Sequence, residues 1–375
     1  MNIGFEAKRV FHNKTGLGNY SRDLVRLLIR FAPENNFFLY NPKSTKKKLF
    51  ISDHANVFEK KPTSYFFKKF YNLWRQFYVV NDLKRDKIEI FHGLSGEIPF
   101  GLKSKKIKSV VTIHDLIFMK YPELYSFFDR KIHFFKFKKA ARQADTIIAI
   151  SEQTKTDIIQ YLKVNPNKIK VIYQGCNSIF KEKFTKTEIK KCIVKYKLPE
   201  NFILNVGTIE TRKNVLLAVK AIKDIDIKLV IVGKKTDYNL EIEKYIEDNK
   251  LQEKIIFHSG LSLTELAILY QLAKIFVYPS LYEGFGIPII EALYSKTPVI
   301  TTIGGVFPEA AGPHSIYIDP ENVQELKIAI SKLLEDPNLS KEIAEKGFLF
   351  AQKFNDENIA KQYLEVYKTL IASHS

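Results

Sequence analysis

The 375 residues predict an α/β chain built as two doubly wound domains of similar size. Three observations carry this. Short apolar segments alternate with longer helical ones along both halves, the pattern of a mostly parallel sheet with helices on both faces. Glycine-bearing turns stand just after the ends of those apolar segments, where open α/β sheets bind ligands. The length also exceeds what one hydrophobic core usually organises.

Taken in order, short apolar runs between turn residues predict strands at 2–6, 36–40, 88–92, 109–114, 146–150 and 170–173. Helical segments are expected at 18–31, 65–85, 126–143 and 152–162. The second half repeats the rhythm, with strands at 202–206, 228–232, 254–258, 275–278, 298–301 and 315–318 and helices between them. Lysine-rich 190–201, with Pro199, reads as the connection between domains.

Composition bounds the function. The hydrophobic share of 45% is ordinary for a globular protein, and no apolar run approaches the ~20 residues that span a bilayer. The opening Met-Asn-Ile-Gly-Phe-Glu reads directly as a strand, so no leader is expected there. Cys176 and Cys192 have no metal-ligand spacing around them and read as ordinary cytosolic thiols, so a cytoplasmic protein is expected. Charge is uneven. Residues 1–200 hold 40 Lys and Arg against 18 Asp and Glu, whereas 201–375 hold 19 against 23. The asymmetry points the first half at an anionic partner.

The densest chemistry lies in residues 278–293, Tyr-Pro-Ser-Leu-Tyr-Glu-Gly-Phe-Gly-Ile-Pro-Ile-Ile-Glu-Ala-Leu. Apolar 275–278 reads as a buried strand, and Pro288 suits the first position of a helix, where its missing N–H costs nothing. Gly284 and Gly286 let bare backbone approach a ligand and point amides at it. Strand, turn and helix N-terminus together make a seat for phosphate. Glu283 and Glu291, with seven residues between them, flank that seat, and carboxylates accept well from sugar hydroxyls. The combination suits a ligand that is part phosphate and part sugar.

This run resembles the Glu-x7-Glu signature of the retaining glycosyltransferases of family 4, in the GT-B group. Thr301-Thr-Ile-Gly-Gly-Val-Phe-Pro-Glu309 is similar to that family too; a lone Gly-x-Gly would say little. The resemblance implies two Rossmann-like domains facing each other across a cleft. Residues 1–197 would bind the acceptor and 198–355 the nucleotide sugar, with a last helix in 356–375 returning to the first domain.

Other segments join this frame. In Gly207-Thr-Ile-Glu-Thr-Arg-Lys213 two cations stand where a helix start disfavours them, unless an anion lies between. The segment resembles the family's Gly-x4-Arg-Lys element, whose cations grip the donor diphosphate. His114 and Asp115 end a buried strand. Either could be structural, but the resemblance implies a His facing the donor sugar. In Thr15-Gly-Leu-Gly-Asn-Tyr-Ser-Arg22, Gly16 and Gly18 permit close approach, and Ser21 or Asn19 could cap the following helix. The resemblance places this loop near the donor phosphates and the acceptor. The loop after 254–258 is similar to one that contacts the nucleobase through backbone, and His258 there reads equally as structural or functional.

The roles the resemblance implies are specific. Glu283 holds donor-sugar hydroxyls and Glu291 the ribose. Arg212, Lys213 and the turn Gly284, Phe285, Gly286 and Ile287 hold the diphosphate, and His114 positions the sugar. The sub-pattern is similar to bacterial mannosyltransferases of surface polysaccharide, so GDP-mannose is the favoured donor and UDP-hexose the second choice. The acceptor would be a glycan or lipid-linked glycan. No Asp-x-Asp metal motif is present, so no metal or cofactor is expected to be required. A catalytically silent sugar-nucleotide-binding scaffold and a GT-B epimerase are the alternatives; a phosphorylase would need a pyridoxal-phosphate lysine, for which there is no motif.

Two segments interleave aromatic and basic residues, 65–80 and 127–142. One reading packs the aromatics in the core with lysines in water. The other rests these segments on anionic lipid at the inner face of the membrane, with Lys68, Lys69 and Arg75 among the contacting cations. Nucleic acid is not an expected partner.

Overall fold

The structure, a computed structural model, describes residues 1–45 and 48–372. It divides into two units, Met1–Gln174 with Asn355–Ser375, and Gly175–Phe354.

The first unit is built on seven parallel strands: β1 (Asn2–Glu6), β2 (Asn36–Tyr40), β3 (Val57–Lys60), β4 (Ile90–Gly93), β5 (Lys108–Ile113), β6 (Thr146–Ala149) and β7 (Ile169–Val171). Their order is β3-β2-β1-β4-β5-β6-β7. Alternate side chains serve the two faces. Ile3, Phe5, Val110 and Ile148 pack with Tyr20, Leu24 and Leu28 of helix Gly16–Phe31. Phe91, Val111, Ile113 and Ile147 pack with Leu83, Ala140 and Ala141 on the opposite side. Strand β3 escapes sequence reading because Val-Phe-Glu-Lys is short, partly exposed and paired on one side only, with β2.

The terminal helix Asp356–Ala372 packs on helix Gly16–Phe31 in this unit. Polar groups tie it down inside an apolar core. Tyr363 Oη lies 2.8 Å from Tyr20 Oη, and Tyr367 Oη lies 2.6 Å from His92 Nδ1. His92 Nε2 reaches Thr112 Oγ1 at 2.8 Å. Each of these buried side chains thus finds a polar partner, as burial demands.

The expected helix 65–85 is broken into Tyr65–Lys69, Tyr71–Leu73, a π-helical turn at Trp74–Tyr78 and Val79–Arg85. The break buries Trp74, whose indole N–H donates to Asp82 at 2.8 Å.

The second unit holds β8 (Phe202–Val206), β9 (Lys228–Val232), β10 (Ile255–His258), β11 (Ile275–Tyr278), β12 (Val299–Thr302) and β13 (Ile316–Ile318). The strands are parallel, in the order β10-β9-β8-β11-β12-β13. The unit boundary falls after Gln174, earlier than the expected 197/198. The reason is helix Lys186–Tyr196, which sequence reading took as part of the connection. Thr185 and Glu188 form a capping box at its start, and it packs on helix Leu263–Leu272 with Cys192 buried. Its lysines mark a solvated face, not a linker. Both cysteines are buried and neither is in a disulfide. Among the described residues no helix is long and apolar enough to cross a membrane.

Candidate functional site

In the second unit the site grows from the carboxyl ends of β8 and β11. After β8 the chain passes Gly207, at φ +151, and enters a one-turn 3-10 helix, Thr211–Lys213. Left-handed Asn214 then opens helix Val215–Ala221. Arg212 and Lys213 therefore stand on their own turn before the helix. A Cβ on Gly233, which follows β9, would meet the Gly207 carbonyl oxygen at 1.8 Å, so this close pass of two loops admits only glycine there.

After β11 comes the turn that carries Glu283. Its Oε1 accepts from Lys213 Nζ at 2.6 Å and lies 2.8 Å from Arg212 Nη1. Lys213 Nζ also reaches the Tyr278 hydroxyl at 2.6 Å, and Arg212 Nη2 reaches Glu210 at 2.6 Å. Arg212 further donates to the Tyr282 carbonyl, and Leu281 N–H donates to the Arg212 carbonyl at 2.9 Å. The two loops are thus stitched together by backbone and charge.

Burial by itself would raise the Glu283 carboxyl, but Lys213 and Arg212 overcome it and hold it at about 2. Burial opposes the charge on Arg212, and Glu283 and Glu210 outweigh it, so its pKa is raised. Burial lowers Lys213, with Arg212 acting the same way against the pull of Glu283. Two cations converging on one buried carboxylate make a preorganised centre in a low dielectric, where charge effects are strong.

Gly286, at φ +115, starts helix Ile287–Tyr294, with Pro288 one place later than expected. Phe285 is 2% exposed and packs edge-on against Phe354 at 5.4 Å, which leaves its backbone rather than its ring to face a ligand. Glu291 accepts from the Tyr270 hydroxyl at 2.9 Å. Tyr270, Tyr278 and Glu210 were not singled out from sequence. Tyr278 could have been, as a polar handle ending an apolar strand.

In the first unit, His114 ends the run after β5 and is buried. Nε2 donates to the Leu94 carbonyl at 2.9 Å, which makes Nδ1 the acceptor from Gln174 Nε2 at 3.0 Å. Tyr20 packs edge-on at 4.4 Å. Burial pushes the imidazole down to about 4, against the Leu94 bond, so it is neutral with both nitrogens engaged. That arrangement suits a shaped wall better than a proton carrier. The backbone N–H of Ile117 donates to Asp115 Oδ1 at 3.1 Å, closing a local turn. His258 keeps its Nε2 buried without a hydrogen-bond partner, and its ring packs edge-on against Tyr196.

Helix Gly16–Phe31 begins two residues earlier than expected, with Thr15 at the N-cap position. Asn19 and Ser21 therefore lie inside it and cap nothing. Ser21 bonds the Leu17 carbonyl, and Asn19 accepts from Arg22 at 2.5 Å. Arg22 also donates to the Asn13 carbonyl at 2.7 Å, so it shapes the loop. A Cβ on Gly18 would stand 2.0 Å from the Asn13 oxygen, whereas one on Gly16 meets nothing. Arg75, expected on an exposed basic surface, is instead paired with Glu6 at 3.3 Å and Glu97 at 2.6 Å. Among the described residues no group of three or more His, Cys, Asp or Glu could hold a metal ion.

Comparison with known proteins meets this geometry. Residues 15–178 match the family model described as Glycosyltransferase Family 4, and 186–350 match Glycosyl transferases group 1. The chain is 32% identical over 231 residues to the O-antigen chain mannosyltransferase RfbU of Salmonella typhimurium, the match spanning 61% of each chain. It is 24% identical to the O-antigen chain mannosyltransferase B of Escherichia coli, across 99% of this chain and all of that one. Among solved structures, sucrose-phosphate synthase from Thermosynechococcus elongatus covers both chains fully, with a TM-score of 0.80 at 21% identity. Anabaena HepE in complex with UDP and glucose covers 98% of this chain and 99% of its own, with a TM-score of 0.75 at 19% identity. With one family matching most of the first unit and the other most of the second, each built on a parallel Rossmann-like sheet, the chain belongs to the GT-B glycosyltransferases of family 4 and group 1.

Proposed function

We propose that this glycosyltransferase moves a hexose, mannose by preference, from a nucleotide sugar to a glycan or lipid-linked acceptor in surface polysaccharide synthesis, with retention at the anomeric carbon. The observation that carries the reading is Glu283 held between Lys213 and Arg212. As the glycosidic bond breaks, the nucleoside diphosphate gains negative charge, and two fixed cations beside the glycine turn supply stabilisation where that charge develops. The turn's amides at Gly284, Phe285, Gly286 and Ile287 add donors at a helix start. Gly207 keeps its backbone close beside Lys213.

Glu283 is ionised, so it can accept from a sugar hydroxyl, and Glu291 can do the same for the ribose. In the first unit, Gly16, Gly18 and His114 are the residues proposed to meet substrate. The leaving phosphate takes the acceptor's proton, since His114 is neutral and its nitrogens are engaged. Arg212 and Lys213 perform the neutralisation that a metal would otherwise supply, so none is required. GDP-mannose is preferred over UDP-hexose because the relatives RfbU and mannosyltransferase B are named as mannosyltransferases. HepE, seen with UDP and glucose, keeps UDP-hexose as the second choice.

The test is a thermal-shift screen of GDP, UDP and ADP sugars followed by turnover of whichever donor stabilises the protein. Stabilisation by GDP-mannose with sugar transfer supports the reading. Binding without hydrolysis or transfer would favour the silent scaffold.

A further inference from the structure

The two aromatic–basic segments are only partly packed in the core: Trp74, Ala140 and Ala141 are buried, but many of their aromatic rings are not. Among the described residues, 12 of the 21 exposed large hydrophobics fall within 65–78 and 124–135. Tyr65 is 83% exposed, Phe128 76% and Phe135 69%, values expected of lysines. On helix Phe127–Gln143, Phe128, Ile132 and Phe135 recur at i, i+4 and i+7 and so form one outward stripe. A monomer rarely leaves so much contiguous apolar surface uncovered.

The segments are also neighbours. Glu97 accepts from Arg75 at 2.6 Å and Gln76 at 3.1 Å on one of them, and from Lys136 at 3.3 Å on the other. Phe100 stacks on Phe77 at 4.8 Å, while Lys139 Nζ sits 2.8 Å from the centre of the same ring. Both segments therefore buttress the loop 97–100. Arg75, Gln76 and Lys136 turn to its carboxylate, and Tyr65, Phe66 and Phe70 remain outside.

Charge selects the occupant. Lys68, Lys69 and Lys131 stand exposed among these rings, residues 65–81 contain no acid, and 126–143 contain only Asp129. A second copy docking face to face would bring these lysines against their own kind. A bilayer bearing anionic headgroups satisfies both features, accepting aromatic rings at headgroup depth and pairing with the lysines.

We propose that Tyr65–Tyr78 and Phe127–Phe135 form one membrane-docking surface that inserts aromatic rings into an anionic leaflet and is held there by Lys68, Lys69 and Lys131. This deepens the reading of the acceptor as lipid-linked, but its test uses no turnover, so either can fail alone. The experiment is co-sedimentation of the full chain with phosphatidylcholine vesicles, with and without phosphatidylglycerol, at low and high salt. The wild type should bind only the anionic vesicles, and less as salt rises. The variant Lys68→Glu/Lys69→Glu/Lys131→Glu should lose at least about tenfold in binding. A second variant, Phe66→Ser/Phe70→Ser/Phe128→Ser/Phe135→Ser, should lose a similar factor, and both should keep the Trp74 fluorescence of the folded unit. Three results would overturn the proposal. The wild type could ignore anionic vesicles at low salt, both variants could bind undiminished, or the protein could form a dimer that the serine variant breaks while vesicles go unbound.

Discussion

Lys213 Nζ and Glu283 Oε1 lie 2.6 Å apart although 70 residues separate them in the chain. The contact joins the loop after β8 to the loop after β11, and Arg212 shares the same oxygen. Glu283 is buried and both cations are largely shielded from solvent, so removing the carboxylate leaves two cations uncompensated, which typically costs about 3–5 kcal/mol.

From this pairing, Lys213→Ala and Glu283→Ala should each reduce donor turnover by at least about a hundredfold, through lost charge stabilisation and lost sugar positioning. Glu283→Ala should also destabilise the fold more than Lys213→Ala, because it strands two cations where the other leaves the Arg212–Glu283 pair intact. Steady-state kinetics with denaturant unfolding reads both. Near-wild-type turnover in folded variants would remove these residues from the site.

Turnover should survive EDTA, since Arg212 and Lys213 supply positive charge beside the proposed phosphate seat. A donor-hydrolysis assay across a chelator titration decides this. Loss of activity restored by magnesium or manganese would show that turnover depends on a metal.

Acid should weaken the first unit in a defined window. Burial, with His114 nearby, lowers His92 to about 3, and burial lowers His114 to about 4, from an unfolded value of 6.5. The unfolded chain then binds more protons, so stability is full above pH 6.5 and falls toward pH 4, by on the order of a few kcal/mol. Glu283 acts lower, since its stabilisation is lost only as pH drops from 4.5 toward about 2. Trp74 is the single tryptophan and lies buried in the first unit, so its fluorescence isolates the histidine window. An unfolding free energy that stays flat between pH 7 and 4 would contradict the neutral, buried imidazoles.

The glycine loop offers a paired test. Gly18→Ala should destabilise the first unit, because its methyl group would strike the Asn13 carbonyl, typically by about 1–3 kcal/mol. Gly16→Ala has open space and should fold normally. Any rise in donor KM of the Gly16 variant would then report lost approach to a ligand, and an unchanged KM would take Gly16 out of the binding loop.

Much of the architecture is legible in the chain because buried parallel strands are apolar runs. β1, β2, β8, β9 and β11 match expectation residue for residue. β3 is an edge strand with no such run, and only its pairing with β2 reveals it. Helix Lys186–Tyr196 was hidden by its lysines, although its Thr185–Glu188 capping box is a local signal that could have been read. Long cations were the hardest residues to place. Arg75 resembles its lysine neighbours in sequence, but its partner Glu6 is 69 residues away.

What the sequence determined by itself was backbone: the strand rhythm, the glycine turns and the residue types gathered after strand ends, all set by local sterics and by alternation of apolar and polar side chains. What only the tertiary structure decided was which charges and rings are buried. A buried charge is stable only when a distant partner offsets its desolvation, as Lys213 and Arg212 do for Glu283 and Glu97 does for Arg75. A ring is buried only when another element covers it. Nothing in the described first unit covers Tyr65 or Phe128, and both face outward.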